Sequence, residues 1–184
     1  MDTESPVKDI LYHEIKKINE YKIQLEISKK NSSKIIDEII SNCYPKIQKI
    51  TSNIAEDLGI FAESLMHYLL TLAMIPSQRK ISQKGIEIDM VIPDLKTLNS
   101  NPQDTLIIMF AKSKEKNFIK KRILDLEKIH PVNENIWIVL HENIELMKKT
   151  FQINNTTNSL NKILNDINEF FSSRKQNKFK IIKS

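Results

Sequence analysis

Gly85-Ile86-Glu87-Ile88-Asp89-Met90-Val91-Ile92-Pro93-Asp94 and, after a short loop, Asp104-Thr105-Leu106-Ile107-Ile108-Met109-Phe110-Ala111-Lys112 are two apolar runs that carry isolated charges. Ile81, Ile86, Ile88, Met90 and Ile92 alternate with polar residues, and residues 106–111 are continuously apolar, so both segments read as strands. Residues 93–103, rich in Pro, Asn, Ser and Asp, form the loop between them. Strand alternation places Glu87 and Asp89 on one face of the first strand, and Phe110 with Lys112 on one face of the second. A carboxylate inside an otherwise apolar strand costs several kcal/mol if unpaired, which makes Asp89 the most informative residue of the pair.

Outward from this core, Phe118, Ile119, Ile123, Leu126 and Ile129 recur at helical spacing until Pro131, and Ile136-Trp-Ile-Val-Leu140 is a buried strand. Upstream, Ile54, Leu58, Phe61, Leu65, Tyr68, Leu69 and Leu72 mark a helix from Asn53 to about Met74, with Asn53 and Glu56 as a capping box. Downstream, Leu160, Ile163, Leu164, Ile167, Phe170 and Phe171 define a last amphipathic helix. Residues 6–29 and 35–50 read as two helices interrupted at Asn31-Ser32-Ser33. Pro6 stands at the first helical position, and Pro45 is a potential disturbance. A strand, a helix and a further strand in succession imply a parallel crossover. The expected fold class is α/β: a mixed central sheet flanked by helices, preceded by an N-terminal helical hairpin.

The 184 residues suffice for one ordinary domain. With glycine only at 59 and 85, no glycine-rich phosphate loop can be built, and the single Cys43 excludes an internal disulfide or a cysteine-rich zinc site. The acidic N-terminus lacks an apolar run behind it, which reads as no secretory signal and predicts a cytoplasmic location. The most apolar stretch, 65–75, is about half the length a membrane span needs, so no membrane association is expected. The net charge of +5 is unevenly placed. Lys112, Lys114, Lys116, Lys120, Lys121 and Arg122 form one basic group, and Arg174, Lys175, Lys178, Lys180 and Lys183 form another without an acid among them. Concentrated positive charge is what phosphate binding requires, and a solvated lysine-rich surface is the plain alternative.

Four pieces in this order resemble the PD-(D/E)XK nuclease superfamily, the restriction-endonuclease-like fold. They are Glu63 on its helix, the strand with Asp89, the strand ending at Lys112, and the basic helix that follows. The resemblance covers roughly residues 54–141. It implies that Glu63, Asp89 and Lys112 are the catalytic residues and that magnesium is the cofactor, held by Asp89 and Glu63. Pro93-Asp94 has the literal family spelling, but Asp89 lies better in mid-strand. The acidic position two before Lys112 is Phe110, which offers no oxygen to a metal, so Glu87 or Glu63 would have to supply it. The resemblance thus implies a magnesium-dependent endonuclease if the site is active, and the missing ligand favours a degenerate site on a fold that still binds nucleic acid, DNA in the first instance. Lys114, Lys116, Lys120, Lys121, Arg122, Arg174, Lys175, Lys178 and Lys180 are the expected nucleic-acid contacts.

The corresponding organisation is a hairpin over 1–50, a nuclease-like domain over 51–172 and a basic tail over 173–184. The alternative class is a non-enzymatic interaction or oligomerisation module on an inactive nuclease fold. Its basis is the seven-residue recurrence of Leu11, Ile18 and Leu25 beside Val7, Ile15 and Tyr21, which could pair two copies into a homodimer. His67 could buttress Glu63 one turn away, Trp137 reads as core, and Cys43 as a small buried hydrophobe.

Overall fold

The computed structural model describes residues 5–153 and 159–181, with side chains up to residue 174. Its elements follow the periodicities. Helix α1, Pro6–Ile18, buries Val7, Leu11 and Ile15. The expected single helix over 6–29 is divided at Asn19, whose φ of 80° breaks the helix and whose side chain accepts a hydrogen bond from the Tyr21 amide to start α2, Glu20–Ser28. Asparagine tolerates this backbone because its short amide bonds locally. Helix α3, Ser32–Ile50, runs unbroken through Pro45. Its inner face, Ile35, Ile36, Ile39, Ile40, Cys43 and Ile47, is buried.

Helix α4, Ile54–Leu72, is apolar almost all round, because it lies between the N-terminal helices and the sheet. At its start Asn53 bonds the Glu56 side chain at 3.1 Å, a side-chain pair in place of the expected reciprocal backbone cap. Strands β1, Gln78–Gln83, and β2, Ile86–Ile92, form an antiparallel hairpin, and β2 pairs antiparallel with β3, Leu106–Phe110. The loop expected over 93–103 contains a short helix α5, Leu95–Ser100, capped by Asp94. Helix α6, Lys116–Glu127, then returns the chain to β4, Ile136–Leu140, parallel to β3. A fifth strand, β5, Lys149–Gln152, adds parallel to β4; its four residues are too few and too polar to announce a strand. Helix α7, Ile163–Ile181, closes the chain. The sheet order is β1-β2-β3-β4-β5.

Alternation along β3 divides the core. Leu106, Ile108 and Phe110 join α1, α3, α4 and α7 in one apolar cluster. Ile107, Met109 and Ala111 join Ile119, Ile123 and Leu126 of α6 in a second. Residues 7–47 share the first cluster with the sheet, so most of the N-terminal stripe packs on its own chain. Tyr12, Tyr21 and Leu25 remain exposed. The buried Glu14 carboxylate ties α1 to α3. Burial pushes its pKa up, but Lys46 at 2.8 Å and Asn42 at 2.9 Å together hold it below the usual range. Trp137 lies in the core against Phe151 and Phe170, at ring separations of 5.6 and 5.9 Å, and Cys43 is buried as expected. Among the described residues no helix is long and apolar enough to cross a membrane.

His130 is fully buried between α6 and β4. Its Nε2 lies 3.1 Å from the Thr105 carbonyl, and its Nδ1 accepts from the Val132 amide at 3.1 Å, which defines a neutral ring. Burial lowers its pKa below the ordinary histidine value. Below about pH 6.5 the unfolded chain therefore takes a proton that the folded one refuses, and stability declines as pH falls through that value toward the lower folded pKa. Thermal unfolding of the native protein between pH 8 and pH 5 is expected to show this decline, with a shallower slope in His130→Gln. Equal slopes in the two proteins would deny His130 the role.

Candidate functional site where two strands diverge

The β1–β2 ladder pairs Arg79 with Met90 and Ile81 with Ile88, but Lys80 and Asp89, opposite each other between them, are unpaired. Lys80 has a left-handed φ of 51°. The two strands change face at this step. Ile81, Ile86 and Ile88 pack on the α6 side, whereas Met90 and Ile92 pack on the α4 side. A regular strand would keep Ile88 and Met90 on one face, so the kink turns Asp89 edgewise. The β2–β3 ladder ends at Met90 opposite Ile108. Beyond it the Asp89 Oδ2 accepts the Phe110 amide at 2.9 Å, replacing the ladder bond that β2 no longer supplies.

Two further elements complete the cluster. Lys112, two residues past the end of β3, extends to Glu63 of α4, Nζ to Oε2 at 2.8 Å. Arg122 of α6 approaches Asp89 Oδ1 at 3.4 Å. The Glu63 side chain is 4% exposed, Asp89 13% and Arg122 22%. Gly59 sets how closely α4 meets the end of β3. A Cβ there would lie 2.7 Å from Lys112 Cγ and 2.8 Å from the Ala111 carbonyl oxygen, inside contact distance for both. A cavity lined by Glu87, Asp89, Lys112, Phe118 and Arg122 opens from this cluster between the β1–β2 hairpin and the start of α6.

Burial pushes the Asp89 carboxyl above the usual carboxylate range. Lys112, the Phe110 amide and Arg122 pull it back, and Glu63 adds to the push. Ionising Asp89 therefore costs the fold stability. That cost is absent below the unfolded pKa of about 3.9 and complete above the raised folded value. At neutral pH Asp89→Asn is expected to raise the unfolding temperature, by roughly 1–4 °C. Calorimetry of the two proteins checks this, and a lower unfolding temperature in the variant would contradict it. His67, one turn after Glu63, is held below its ordinary pKa by burial and by Arg79, against an upward pull from Glu63. Glu63 Oε1 and His67 Nδ1 are buried without a hydrogen-bond partner among the described residues.

Of the residues read from the sequence, Glu63, Asp89 and Lys112 are brought together, with Glu87 exposed at the cavity rim. Asp94 is taken up as the cap of α5, its Oδ1 accepting from the Thr97 amide at 2.7 Å. The Phe110 ring is buried in the α4-side core. Arg122, read from the sequence as a phosphate contact, reaches Asp89 instead. Only the folding of α6 over β2 shows this, because helical spacing alone does not say which strand the helix covers. Lys116, Lys120 and Lys121 are exposed on α6, while Lys114 lies 3.6 Å from Glu142. The Arg174 guanidinium is turned inward, donating to the carbonyls of Gln103 and Phe170 and to Asn135 Oδ1. The side chains of Lys175, Lys178 and Lys180 lie outside the described residues.

The donor set does not fit a divalent magnesium ion. Magnesium wants hard oxygens in a near-octahedral arrangement. Here both Asp89 oxygens are engaged by an amide and a guanidinium, Glu63 Oε2 is tied to Lys112 with only Oε1 left without a partner among the described residues, and residue 110 is an apolar side chain. Among the described residues no three carboxylate, histidine or cysteine side chains are grouped to hold a metal.

No protein-family model matches the sequence, and no curated protein does. Solved structures do. The restriction endonuclease PspGI in complex with its substrate DNA superposes with a TM-score of 0.63 at 12% identity, over 92% of this chain and 94% of that one. Metal-depleted Ecl18kI with uncleaved DNA gives 0.47 at 14% identity, over 91% and 62%; its complex with uncleaved, modified DNA gives 0.45 at 15%, over 88% and 59%. The PspGI match extends well past residues 54–141, and so takes in more than the segment that carries the motif. With its mixed sheet, the crossover through α6 and this agreement along nearly the whole of both chains, the protein has the restriction-endonuclease-like fold.

Proposed function

We propose that this protein binds double-stranded DNA across the face that carries Asp89, Lys112 and Arg122, and holds it without cutting. The observation that carries the reading is the Asp89–Arg122 contact beside Phe110, where a cation of the chain itself neutralises the strand aspartate and an apolar ring stands in place of an acid. Glu63 and Lys112 likewise neutralise each other, so these four side chains carry no surplus negative charge, and the exposed Glu87 at the rim adds a single one, little with which to gather a divalent metal. The likeness of the fold to PspGI, solved on DNA, supports the choice of DNA. Lys116, Lys120 and Lys121, exposed on α6, supply charge for phosphates.

Binding of a labelled DNA duplex, followed by fluorescence anisotropy at several salt concentrations, tests the reading. Affinity is expected to fall steeply with salt, and Lys116→Gln, Lys120→Gln and Lys121→Gln together are expected to lower the slope of log K against log salt by about 2–3. A native protein that does not bind duplex DNA even at low salt would overturn it.

The exposed Tyr12, Tyr21 and Leu25 favour one addition, the pairing of two copies through their N-terminal helices. Sedimentation of the native protein beside Tyr21→Ser with Leu25→Ser is expected to show a dimer in the first and a monomer in the second.

A further inference from the structure

The β1–β2 hairpin holds two lysines in a backbone conformation that lysine rarely adopts. Lys80 has φ of 51° inside β1, and Lys84 has φ of 52° at the turn, followed by Gly85 at 74°. Two successive left-handed residues joining antiparallel strands are the mark of a two-residue hairpin turn that favours Asn-Gly or Asp-Gly. Lysine at the first position gives up that advantage, and a left-handed residue inside a strand gives up ladder pairing as well. Neither position requires lysine for packing. Both side chains are exposed, and among the described residues neither has an ion-pair partner.

The position of the hairpin gives those charges a use. β2 leaves β3 after Met90, so residues 80–89 run on as a two-stranded arm beyond the paired part of the sheet. The kink at Lys80 and Asp89 turns that arm about the site, and Glu87 of the arm lines the cavity that Lys112, Phe118 and Arg122 line from the other side. At the base of the arm, Arg79 lies near enough to His67 of α4 to lower its pKa. Over residues 79–89, Arg79, Lys80 and Lys84 stand against two acids, Glu87 and Asp89, and Asp89 is already met by Arg122 of α6. Across the cavity, α6 begins at Lys116, with Lys120 and Lys121 one turn on. Lys112 and Arg122 are the cations that line the cavity itself, and Lys80 and Lys84 of the arm and Lys116, Lys120 and Lys121 of α6 are exposed outside its lining.

We infer that the β1–β2 arm is a second phosphate-contacting element, in which Lys80 and Lys84 contact the DNA backbone on the side of the cavity opposite α6. The inference rests on the DNA-binding reading above and adds to it residues that neither charge clustering nor motif spacing selects. In sequence they are separate lysines. The left-handed backbone and the divergence of β2 from β3 bring them out together.

The test compares duplex-DNA binding by the native protein, the α6 triple glutamine variant and an arm variant, Lys80→Gly with Lys84→Asn, by anisotropy across a salt series. Both arm substitutions suit a positive φ, so the hairpin is kept while two charges are removed. The arm variant is expected to bind more weakly, with the slope of log K against log salt smaller by about 1.8. Lys80→Arg with Lys84→Arg is expected to restore both. An arm variant with native affinity and slope, while the α6 variant is weakened, would overturn the arm and leave the DNA-binding reading standing. Absence of DNA binding by the native protein would overturn both.

Discussion

Gly59→Val is expected to destabilise the protein by about 3 kcal/mol and to weaken DNA binding by whatever remains folded. An added methyl in a helix normally helps, by about 1 kcal/mol for Gly to Ala, so a loss in Gly59→Ala as well would identify the cause as steric. That cause is specific: the new Cβ would meet the Lys112 stem at 2.7 Å and the Ala111 carbonyl at 2.8 Å. The stem can swing away, but the carbonyl belongs to backbone whose amide is bonded to Val139 at 2.9 Å. α4 must therefore withdraw from β3 and carry Glu63 away from Lys112, and overpacking of this kind costs about 1–3 kcal/mol or more. Denaturant unfolding of the native protein, Gly59→Ala and Gly59→Val measures it. Native stability in Gly59→Val would mean that the close approach of α4 to the strand end is not required.

The larger loss of stability is expected at Trp137. Its ring packs against Phe151 and stands edge-on to Phe170, with Lys149 Nζ 4.1 Å above it. Removing a buried aromatic of this size costs about 3–5 kcal/mol through lost burial and the cavity left behind. Trp137→Ala should therefore approach or cross the threshold of folding at room temperature, given the 5–15 kcal/mol total of a typical domain. Trp137→Phe should keep most of the stability, and its DNA affinity should equal that of the native protein. A stable Trp137→Phe variant with lost DNA affinity would instead make the indole a nucleic-acid contact.

The parts of the site that could be read in the sequence are those governed by short periods. Two-residue alternation puts Phe110 and Lys112 on one side of their strand, and the structure turns both toward α4, where Lys112 finds Glu63. Alternation fails at Asp89. A regular β2 would place Glu87 and Asp89 side by side on one face, and the kink opposite Lys80 instead sends Asp89 into the gap before Phe110. No signal in the composition of residues 78–92 announces a left-handed lysine.

Arg122 was hidden for a different reason. It stands among lysines and shares their charge, and its partner is thirty-three residues away on a strand that α6 happens to cover. Asp94 shows the reverse case, where a literal motif spelling sits on a residue whose own chemistry, an aspartate three before the Thr97 amide, already marks a helix cap. The division of the first helix at Asn19 escaped the pattern because the apolar stripe continues past it, and Ile23 of α2 is buried as Leu11 and Ile15 of α1 are. β5 was hidden by its length, four residues that begin with an exposed lysine and a half-buried threonine.

The cluster of Glu63, Asp89, Lys112 and Arg122 is proposed to lie on a face that holds DNA without hydrolysing it. The most direct measurement is incubation of the native protein with supercoiled, linear and single-stranded DNA in magnesium and in manganese, with Asp89→Asn and Lys112→Ala purified in the same way. All three proteins are expected to leave every substrate uncut while the native protein retards the duplex at low salt. Metal-dependent cutting by the native protein, abolished in both variants, would contradict it and would require Glu63 or Glu87 to supply the metal with the oxygen that Phe110 cannot.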